Sequence, residues 1–559
     1  MTTDAGTLVL YNGRVWTGRP DEDEAEFAAI AVRDNRILAV GPTADVMAVA
    51  GPHCQAIDLG GHRVIPGLID SHLHAIRAGL TYSDELDWSG VATLDEALSS
   101  VSQAAGERPA GSWITVGGGW HPSQLDAGRM PTGAELDRAA PHHPVFVYPL
   151  YAHADRAVVN SAALEALGWR DGTPDPPGGI LFRSGDDGTL SGELSGIGLY
   201  QQINAVALRS ERAGEDASTR AFFARLTALG LTGVVDAGGM GMAPEKYRAV
   251  YDVWRRGELP LRVRTLHGAV TPGREMEEVA GWQRYLHPGA GDGMLAVLGL
   301  GEAVHYGCHD WEAMEPFEIA EPSWRELVQI AESCAAQGWP LTIHAILDES
   351  VGRVLDAFEL VDRTYRLAPL RFSLCHVECI GPENLERVRR LGIGLALQGR
   401  MAQKSVSAAT AWGAGTLRHA PPFGDIRRLG IPFGAGTDGT RSASYNPWLT
   451  IWWMVTGQVT DGGPVRAPEH RLSRSDALRA YTAGSAWFSF EEGRRGQLVP
   501  GMLADLAVLS DDVFTVADDA IRSITAELTV VDGRVVHAAG DFAKVPLQSH
   551  DPAAAPASW

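Results

Sequence analysis

The chain has 559 residues, which is more than one simple core needs, so its length favours two or three domains. Hydrophobic residues make up 45% and charged residues 21% of it, which is ordinary for a globular protein and argues against long disordered stretches. A net charge of −22 disfavours nucleic acid and anionic membranes as partners.

The start of the chain and the cysteines indicate the compartment that we expect. Residues 1–6 have no basic stretch followed by an apolar core, and no apolar run approaches the roughly 20 residues that span a bilayer. The five cysteines are scattered and odd in number, so they do not indicate a disulfide framework. We therefore expect a cytoplasmic protein that acts on a small molecule and contacts no membrane, with a homodimer as the default assembly.

Both ends of the chain read as short strands joined by turns. Asn12-Gly13 is a strong hairpin signal between two apolar segments, and residues 496–536 repeat the strand-and-turn pattern. The two ends therefore predict one small β-sandwich domain, composed of residues 1–61 and 491–559.

An apolar run at residues 64–70 is followed by His72 and His74. If this run is a strand, side chains alternate between its faces, and the two imidazoles project from the same side. Two imidazoles placed in this way can chelate one divalent metal.

Seven further apolar segments follow, separated by amphipathic stretches typical of helices. They are 232–236, 261–266, 294–300, 340–344, 371–376, 392–397 and 431–438. This alternation is typical of βα units and predicts an α/β fold, a (β/α)₈ TIM-like barrel over residues 62–490. Residues 112–200 would form a large insertion after the first barrel strand, which we expect to cap the active site.

Several residues with metal-binding chemistry lie at the predicted carboxyl ends of these strands, where barrels of this type have their active sites. His72, His74, His344 and Asp438 would hold one divalent metal, Zn²⁺ before Fe²⁺ or Mn²⁺, and leave a position for water. Asp438 could also move the proton of that water. His376 could hold a second metal or polarise the substrate carbonyl.

Residues 66–74, PGLIDSHLH, resemble the first-strand signature of the amidohydrolase superfamily. Segments 151–155, 159–161 and 174–180 resemble the insertion of its YtcJ-like, or N-substituted formamide deformylase-like, branch (amidohydrolase family 3). The resemblance covers residues 7–537 and implies the barrel, the composite β domain and metal-dependent hydrolysis. It also implies that His344, His376 and Asp438 stand where the family places ligands and the catalytic aspartate.

The chain departs from the family pattern on the fourth strand. A lysine that can bridge two metals is usual there, whereas residues 297–305 read VLGLGEAVH. Glu302 would have to replace that bridge, or would contact substrate at the barrel mouth. The residue before His376 is Cys375 instead of the usual acid. These departures favour one metal per chain over two.

Substrate contacts are expected from the insertion and from the loop after the last strand. The candidates are Trp120, His121, Tyr151, His153 and Arg441. Aromatic side chains suit an apolar or planar substrate, and the resemblance implies the same role for His153. Arg441 could pair with a substrate carboxylate or be an ordinary surface arginine. His305 and His309 are possible extra ligands.

Together these features predict a metal-dependent hydrolase of a non-peptide, amide-type carbon–nitrogen bond in a small molecule. One alternative is a deaminase that attacks an amidine-like ring on a mononuclear site. Others are a non-catalytic, metal-binding member of the family, and a lyase or decarboxylase on the same barrel.

Overall fold

Eight parallel strands form the centre of the computed structural model, which describes residues 6–22, 27–151, 156–184, 188–208 and 212–549. They are numbered here as central strands 1 to 8: Leu68–Leu73, Leu231–Asp236, Arg262–His267, Leu295–Leu300, Thr342–Ala345, Ser373–His376, Gly394–Gln398 and Phe433–Gly436. Strands 1–4 form one four-stranded sheet and strands 5–8 another, each in chain order. All eight lie on segments for which the sequence predicts a strand.

Backbone contacts join the two sheets at both of their seams. The N–H of Leu300 donates to the carbonyl of Pro340 at 3.0 Å, between strands 4 and 5. The N–H of Asp438 donates to the carbonyl of His72 at 2.9 Å, between strands 8 and 1. The strand order and these contacts are consistent with a fold of the TIM-barrel type.

Helices separate the central strands, as the amphipathic pattern predicts. The longer ones are Arg212–Ala228, Arg248–Arg255, Glu275–Tyr285, Glu321–Ala336, Asp348–Tyr365, Pro382–Leu391, Met401–Trp412 and Pro447–Thr456. Shorter helices span Ala75–Thr81, Ala414–Leu417, Phe423–Arg428, Arg474–Ala480 and Ala483–Phe488. No helix among the described residues is long and apolar enough to cross a membrane.

The sequence predicts one strand over residues 64–70. In the structure these residues belong instead to two strands of different sheets. Arg63–Pro66 pairs with Leu506–Leu509, whereas Leu68–Leu73 is central strand 1. The chain passes between the sheets at Gly67, where an added Cβ would lie 2.1 Å from Thr232 Cγ2. Only a residue without a side chain fits this crossing.

Strands from both ends of the chain form two further sheets. One contains Arg36–Gly41, Ala29–Arg33, Leu8–Tyr11 and Gln55–Asp58; the other contains Arg14–Val15, Arg63–Pro66, Leu506–Leu509, Ala526–Val531 and Arg534–Ala538. Leu10 and Ile30 of the first sheet and Val508 and Leu528 of the second share one buried hydrophobic cluster. The helix Thr43–Ala50 packs against the outer face of the first sheet. The domain boundaries at 61 and 491 stay a prediction.

A six-stranded sheet lies between central strands 1 and 2 in the chain. Its strands are, in order, Ile180–Ser184, Thr189–Ser195, Ala157–Val159, Val145–Tyr148, Ile114–Gly117 and Glu85–Leu86, and its helices are Leu94–Glu107, Gly133–Ala139, Ser161–Ala166 and Ile197–Ala207. Because Glu85–Leu86 belongs to the sheet and Leu94–Glu107 to its core, this folded unit begins before residue 112, the start that the sequence suggests.

Candidate metal centre

Four histidines and two acidic residues lie together at the carboxyl ends of the central strands. His72 lies in strand 1, His344 in strand 5 and His376 in strand 6. His74 follows strand 1 by one residue, and Glu302 and Asp438 follow strands 4 and 8 by two. All six side chains are buried. The structure thus brings together the residues for which the sequence predicts metal binding.

Glu302 lies in the middle of this cluster. Its Oε2 is 3.1 Å from His344 Nδ1, 3.1 Å from His376 Nε2 and 3.5 Å from His72 Nε2. Its Oε1 is 3.3 Å from His74 Nε2. One carboxylate therefore faces an imidazole nitrogen of every histidine in the cluster.

Asp438 contacts the cluster from the strand 8 side. Its Oδ1 is 3.2 Å from His74 Nε2 and 3.7 Å from His72 Nε2. His72, His74 and Asp438 form one group of potential ligand atoms within 4.8 Å of one another, and His72, Glu302, Cys375 and His376 form another.

Two of the histidines are oriented by acceptors on the far side of their rings. His74 Nδ1 lies 3.2 Å from the carbonyl of Gly238, and His344 Nε2 lies 2.8 Å from the carbonyl of Trp311. Asp310 Oδ1 is also 3.1 Å from His344 Nε2. An acceptor on one ring nitrogen fixes the ring so that the other nitrogen is directed at the cluster, which is how metal-binding histidines are usually held.

Buried polar residues that the sequence does not single out hold the strand ends in place. Asp70 accepts from the N–H of His72 at 2.9 Å and from the hydroxyl of Thr437 at 2.7 Å, so it links strand 1 to the residue before Asp438. Gln398 accepts from the N–H of His376 at 2.8 Å. Asp70 and Gln398 could have been found from the sequence, because each is a polar residue inside or at the end of an apolar strand. An unpaired polar group is costly there, so such a residue indicates a specific hydrogen bond.

The backbone is left-handed at two of the cluster residues. φ is 74° at His376 and 61° at Asp438. This region costs a residue with a side chain roughly 1–2 kcal/mol. Such residues concentrate at functional sites, where the surrounding structure enforces them.

The electrostatics keep the carboxylates of the cluster ionised. Burial opposes ionisation of Glu302, but the charge of His72 and the hydrogen bonds from the other histidines outweigh it and hold the pKa of Glu302 well below its usual range. Burial, with the charge of His344, lowers the pKa of His376 to about 3 and keeps that imidazole neutral. Burial opposes protonation of His74 and His344 as well, but hydrogen bonds with Asp438, Asp310 and Glu302 outweigh it and raise the pKa of His74 to about 9 and that of His344 to about 10. Carboxylates and imidazoles are the donor set of a divalent metal, which would displace the protons of these two histidines.

Cys375 lies on the inner side of strand 6 and contacts the same carboxylate. Its Sγ donates to Glu302 Oε2 at 3.5 Å. Burial raises the pKa of the Cys375 thiol well above its usual value. The Cys375 thiol is therefore neutral and donates a hydrogen bond to the carboxylate of Glu302.

The residues predicted to contact substrate lie in different surroundings. Trp120 is fully buried against Trp88 in the core of the insertion, and its Nε1 donates to the carbonyl of Tyr148 at 3.0 Å. A contact between Trp120 and a substrate would require this packing to open. His121 caps the turn Pro122–Gln124 through its Nδ1, at the edge of the insertion.

Tyr151 and Arg441 lie where the insertion meets the loop after strand 8. The N–H of Tyr151 donates to the carbonyl of Arg441 at 2.9 Å. The guanidinium of Arg441 is buried and pairs through both terminal nitrogens with the carboxylate of Glu85. Arg441 is therefore not the surface arginine that the sequence left open, and a substrate carboxylate would have to displace Glu85. His153 lies outside the described residues.

Comparison with known proteins places the chain in a family. The profile of an amidohydrolase family matches residues 55–537. The N-substituted formamide deformylase of Arthrobacter pascens is 28% identical, over 95% of this chain and 98% of that protein. The YtcJ amidohydrolase of Bacillus subtilis (strain 168) is 27% identical, over 95% of this chain and 99% of that protein.

Solved structures share the fold at lower identity. An uncharacterised metal-dependent hydrolase from Pyrococcus horikoshii superposes with a TM-score of 0.65 at 21% identity, over 92% of this chain and 99% of that one. The atrazine chlorohydrolase TrzN of Arthrobacter aurescens TC1, complexed with zinc, gives a TM-score of 0.53 at 16% identity and covers 95% of each chain. The chain belongs to the amidohydrolase family and is a hydrolytic enzyme for carbon–nitrogen bonds other than peptide bonds.

Proposed function

We propose that the protein is a metal-dependent hydrolase that cleaves an amide-type carbon–nitrogen bond in a small molecule. The observation that carries this proposal is the carboxylate of Glu302, which faces four imidazole nitrogens at 3.1–3.5 Å. Imidazoles and carboxylates are metal ligands, and a bound metal would offset the cost of burying several of them together.

The spacing of the donor atoms fits a bound metal. Ligands about 2.0–2.2 Å from one ion stand about 3 Å apart, and several pairs in the cluster do so. The Nε2 of His72 and the Nδ1 of His376 are fully buried and have no hydrogen-bond partner among the described residues. His72, His74 and Asp438 would hold one metal and His344 and His376 a second, with Glu302 between them. The central position of Glu302 supports two metals. The absence of the usual lysine on strand 4 and of an acid before His376 favours one metal instead.

The strand order and the terminal sheets suggest how the domains are arranged around the site. We infer that the eight strands close into a (β/α)₈ barrel over residues 62–490, with the composite β domain of residues 1–61 and 491–559 beside it. The insertion, including residues 112–200, would cover the carboxyl ends of the strands. The pairing of Glu85 with Arg441, three residues after Asp438, supports this location.

The chemistry follows from the side chains around the cluster. A bound divalent metal supplies Lewis acidity, which makes water acidic enough to lose a proton near pH 7. Asp438 accepts that proton at its carboxylate and delivers it to the nitrogen of the leaving group. The carboxylate can do so because the hydrogen bond from His74 and the neighbouring histidine charges outweigh burial and hold the pKa of Asp438 below its usual range.

The relatives suggest the class of substrate to test first. One curated relative is named an N-substituted formamide deformylase, so N-substituted formamides are the first candidates. Such a substrate would yield formate and a primary amine. A deaminase acting on an amidine-like ring would release ammonia, so the products distinguish the two reactions.

The proposal is tested by measuring metal content and turnover on the same preparations. Inductively coupled plasma mass spectrometry of protein purified without chelator should find one or two divalent metals per chain. His72→Ala should lose metal and turnover together, whereas Asp438→Asn should keep most of the metal while kcat falls by about 10²–10⁴-fold. The exposed His287 provides the control, and His287→Ala should behave like the wild type.

Three results would contradict the proposal. A wild-type chain that takes up no metal even after reconstitution would exclude metal-dependent hydrolysis. Unchanged turnover in His72→Ala would remove strand 1 from the site. Near-normal rates in Asp438→Asn would mean that another residue moves the proton.

A further inference from the structure

The loop between strand 4 and the helix Glu321–Ala336 contains two buried histidines with the same local geometry. His305 Nδ1 accepts from the N–H of Gly307 at 3.1 Å. His309 Nδ1 accepts from the N–H of Trp311 at 3.0 Å. Each imidazole thus caps the backbone two residues further along the chain.

This contact fixes the position of the ring hydrogen. A backbone N–H is only a donor, so the nitrogen that faces it must carry a lone pair. A neutral imidazole then has its hydrogen on Nε2, and a doubly protonated ring would place two N–H groups against each other. His309 therefore presents Nε2 as a hydrogen-bond donor.

The two rings face different surroundings. His305 Nε2 lies 3.0 Å from Glu326, a half-exposed carboxylate outside the cluster. His309 instead stacks on His344, with ring centroids 3.7 Å apart and planes 15° apart. A ring nitrogen of His309 lies within 4.8 Å of ligand atoms of Glu302 and His344, and its Nε2 has no hydrogen-bond partner among the described residues. His309 thus places a donor without a partner beside the candidate metal centre.

The tautomer argues against His309 as a metal ligand. A histidine that binds metal through one nitrogen usually donates the hydrogen of the other to an acceptor. His74 and His344 have carbonyl groups on the far side of their rings and meet that condition. His309 faces a backbone donor instead, so its remaining nitrogen keeps its hydrogen.

We propose that His309 is a further catalytic residue, whose Nε2–H donates to the carbonyl oxygen of the substrate as that oxygen gains negative charge. This rests on the proposed hydrolase function, and no proton leaves His309 in the step. A fixed donor at the position of a developing oxyanion stabilises the transition state more than the ground state. Loss of one such donor typically lowers kcat by about 10²–10³-fold.

The test compares three variants of the full-length, metal-reconstituted chain. His309→Phe keeps a ring for stacking on His344 but removes the donor, and His309→Gln keeps an N–H donor. His305→Gln is the matched control, because His305 shares the loop and the capping contact. Acetate serves as the probe, because its carboxylate oxygen can occupy the position of the oxyanion without a turnover assay.

Isothermal titration calorimetry should show acetate binding at least about tenfold more weakly to His309→Phe than to the wild type, since hydrogen bonds to charged groups are among the stronger ones. His309→Gln should recover part of this loss, and His305→Gln should match the wild type. Metal content should be the same in all four proteins. With an active formamide substrate, His309→Phe should lower kcat and leave KM nearly unchanged.

The outcomes separate this proposal from the function on which it rests. Equal acetate affinity in His309→Phe and the wild type would overturn the donor role. Loss of metal in both His309 variants would make His309 a ligand and would also overturn it, while the hydrolase proposal stood. A metal-loaded wild type that binds no acetate would exclude the donor, and a wild type that takes up no metal would exclude both proposals.

Discussion

Glu302 places a carboxylate two residues after strand 4, on the segment for which the family resemblance implies a lysine. A lysine needs to be carboxylated before it can bridge two metals, whereas a glutamate already carries the negative oxygens. Glu302 reaches His344 and His376 with one oxygen and His74 with the other. The departure from the pattern therefore preserves the negative charge at the centre of the cluster.

The substitution Glu302→Gln tests this interpretation. It keeps the size of the side chain but removes the charge, and it places an amide N–H₂ group against the imidazole nitrogens. We expect metal content to fall below half of the wild-type value and turnover to fall by at least about 100-fold, since even indirect supports of a metal site are worth about 10–100-fold. Mass spectrometry of the metal and a rate assay check both.

Glu326→Gln is the control for this change, because Glu326 also contacts a histidine but lies outside the cluster and is half-exposed. We expect it to keep metal and activity. If Glu302→Gln retained both as well, the charge of Glu302 would not be needed, and the metal would depend on the histidines and Asp438 alone.

The sequence reveals the cluster residues but not the direction of their ring nitrogens. His72, His74, His344, His376 and Asp438 are predictable because parallel strands bring their carboxyl ends to one edge. The tautomer of His309 depends on the backbone N–H of Trp311 in an irregular loop, and no periodicity encodes that contact. The pairing of Arg441 with Glu85 is hidden for a similar reason, since 356 residues separate the two in the chain.

At the scale of elements, Gly67 determines how the terminal sheets connect to the central strands. It lies between Arg63–Pro66 and Leu68–Leu73, and its N–H donates to the carbonyl of Asp505 at 3.0 Å. In Gly67→Ala, the new Cβ would lie 2.1 Å from Thr232 Cγ2, which neither backbone can accommodate without moving. We expect the free energy of unfolding to fall by about 1–3 kcal/mol, as overpacked cores do, with denaturant unfolding as the measurement.

Gly106→Ala is the matched control for that experiment. Gly106 lies in the helix Leu94–Glu107, and no atom lies within 4 Å of its Cβ position. Alanine should stabilise this helix by about 0.5–1 kcal/mol, because glycine loses more conformational freedom on folding. Equal stability changes in the two variants would mean that Gly67 has room for a side chain.

Turn signals and alternating hydrophobic residues predict the terminal strands. They do not predict that the chain passes from one sheet to another at Gly67. Residues 64–69 are apolar throughout, so their pattern is the same whether they form one strand or two. The insertion is harder to delimit, because Glu85–Leu86 has only two residues in the sheet and gives no periodic signal. Short pairing segments depend on their partners across the sheet, which sequence patterns do not specify.

At the scale of the whole molecule, the buried Arg262 joins the central strands to residues beside the terminal strands Leu506–Leu509 and Ala526–Val531. Arg262 of strand 3 donates from Nε to Asp505 at 2.8 Å and from Nη2 to Asp532 at 2.9 Å. Its side chain is 2% exposed, so the pairing is shielded from salt. Loss of the cation would leave buried carboxylates without compensation, which costs about 3–5 kcal/mol.

The pH dependence of stability tests whether Arg262 acts through its charge. Burial opposes ionisation of Asp532, but the charge of Arg262 outweighs it and holds the pKa of Asp532 below its usual range. This pair therefore stabilises the fold above the unfolded pKa of about 3.9, and its contribution is lost as the pH falls through the lower folded value. In Arg262→Met, Asp532 stays largely buried and keeps only the more exposed Arg534 nearby, so its folded pKa should rise above the unfolded one. The charge of Asp532 then destabilises the folded variant at neutral pH. Protonation of Asp532 removes this destabilisation as the pH falls.

The difference in unfolding free energy between wild type and Arg262→Met should accordingly be largest near pH 7 and shrink towards about pH 4. Denaturant unfolding of both proteins at several pH values measures it, and the contribution of the metal centre is common to the two. Arg534→Met is the control, because Arg534 is 3.6 Å from the same carboxylate but more exposed, and should change stability by less than about 1 kcal/mol at every pH. A difference that stays constant with pH would show instead that Arg262 stabilises the fold by packing its aliphatic stem, without electrostatic coupling to Asp532.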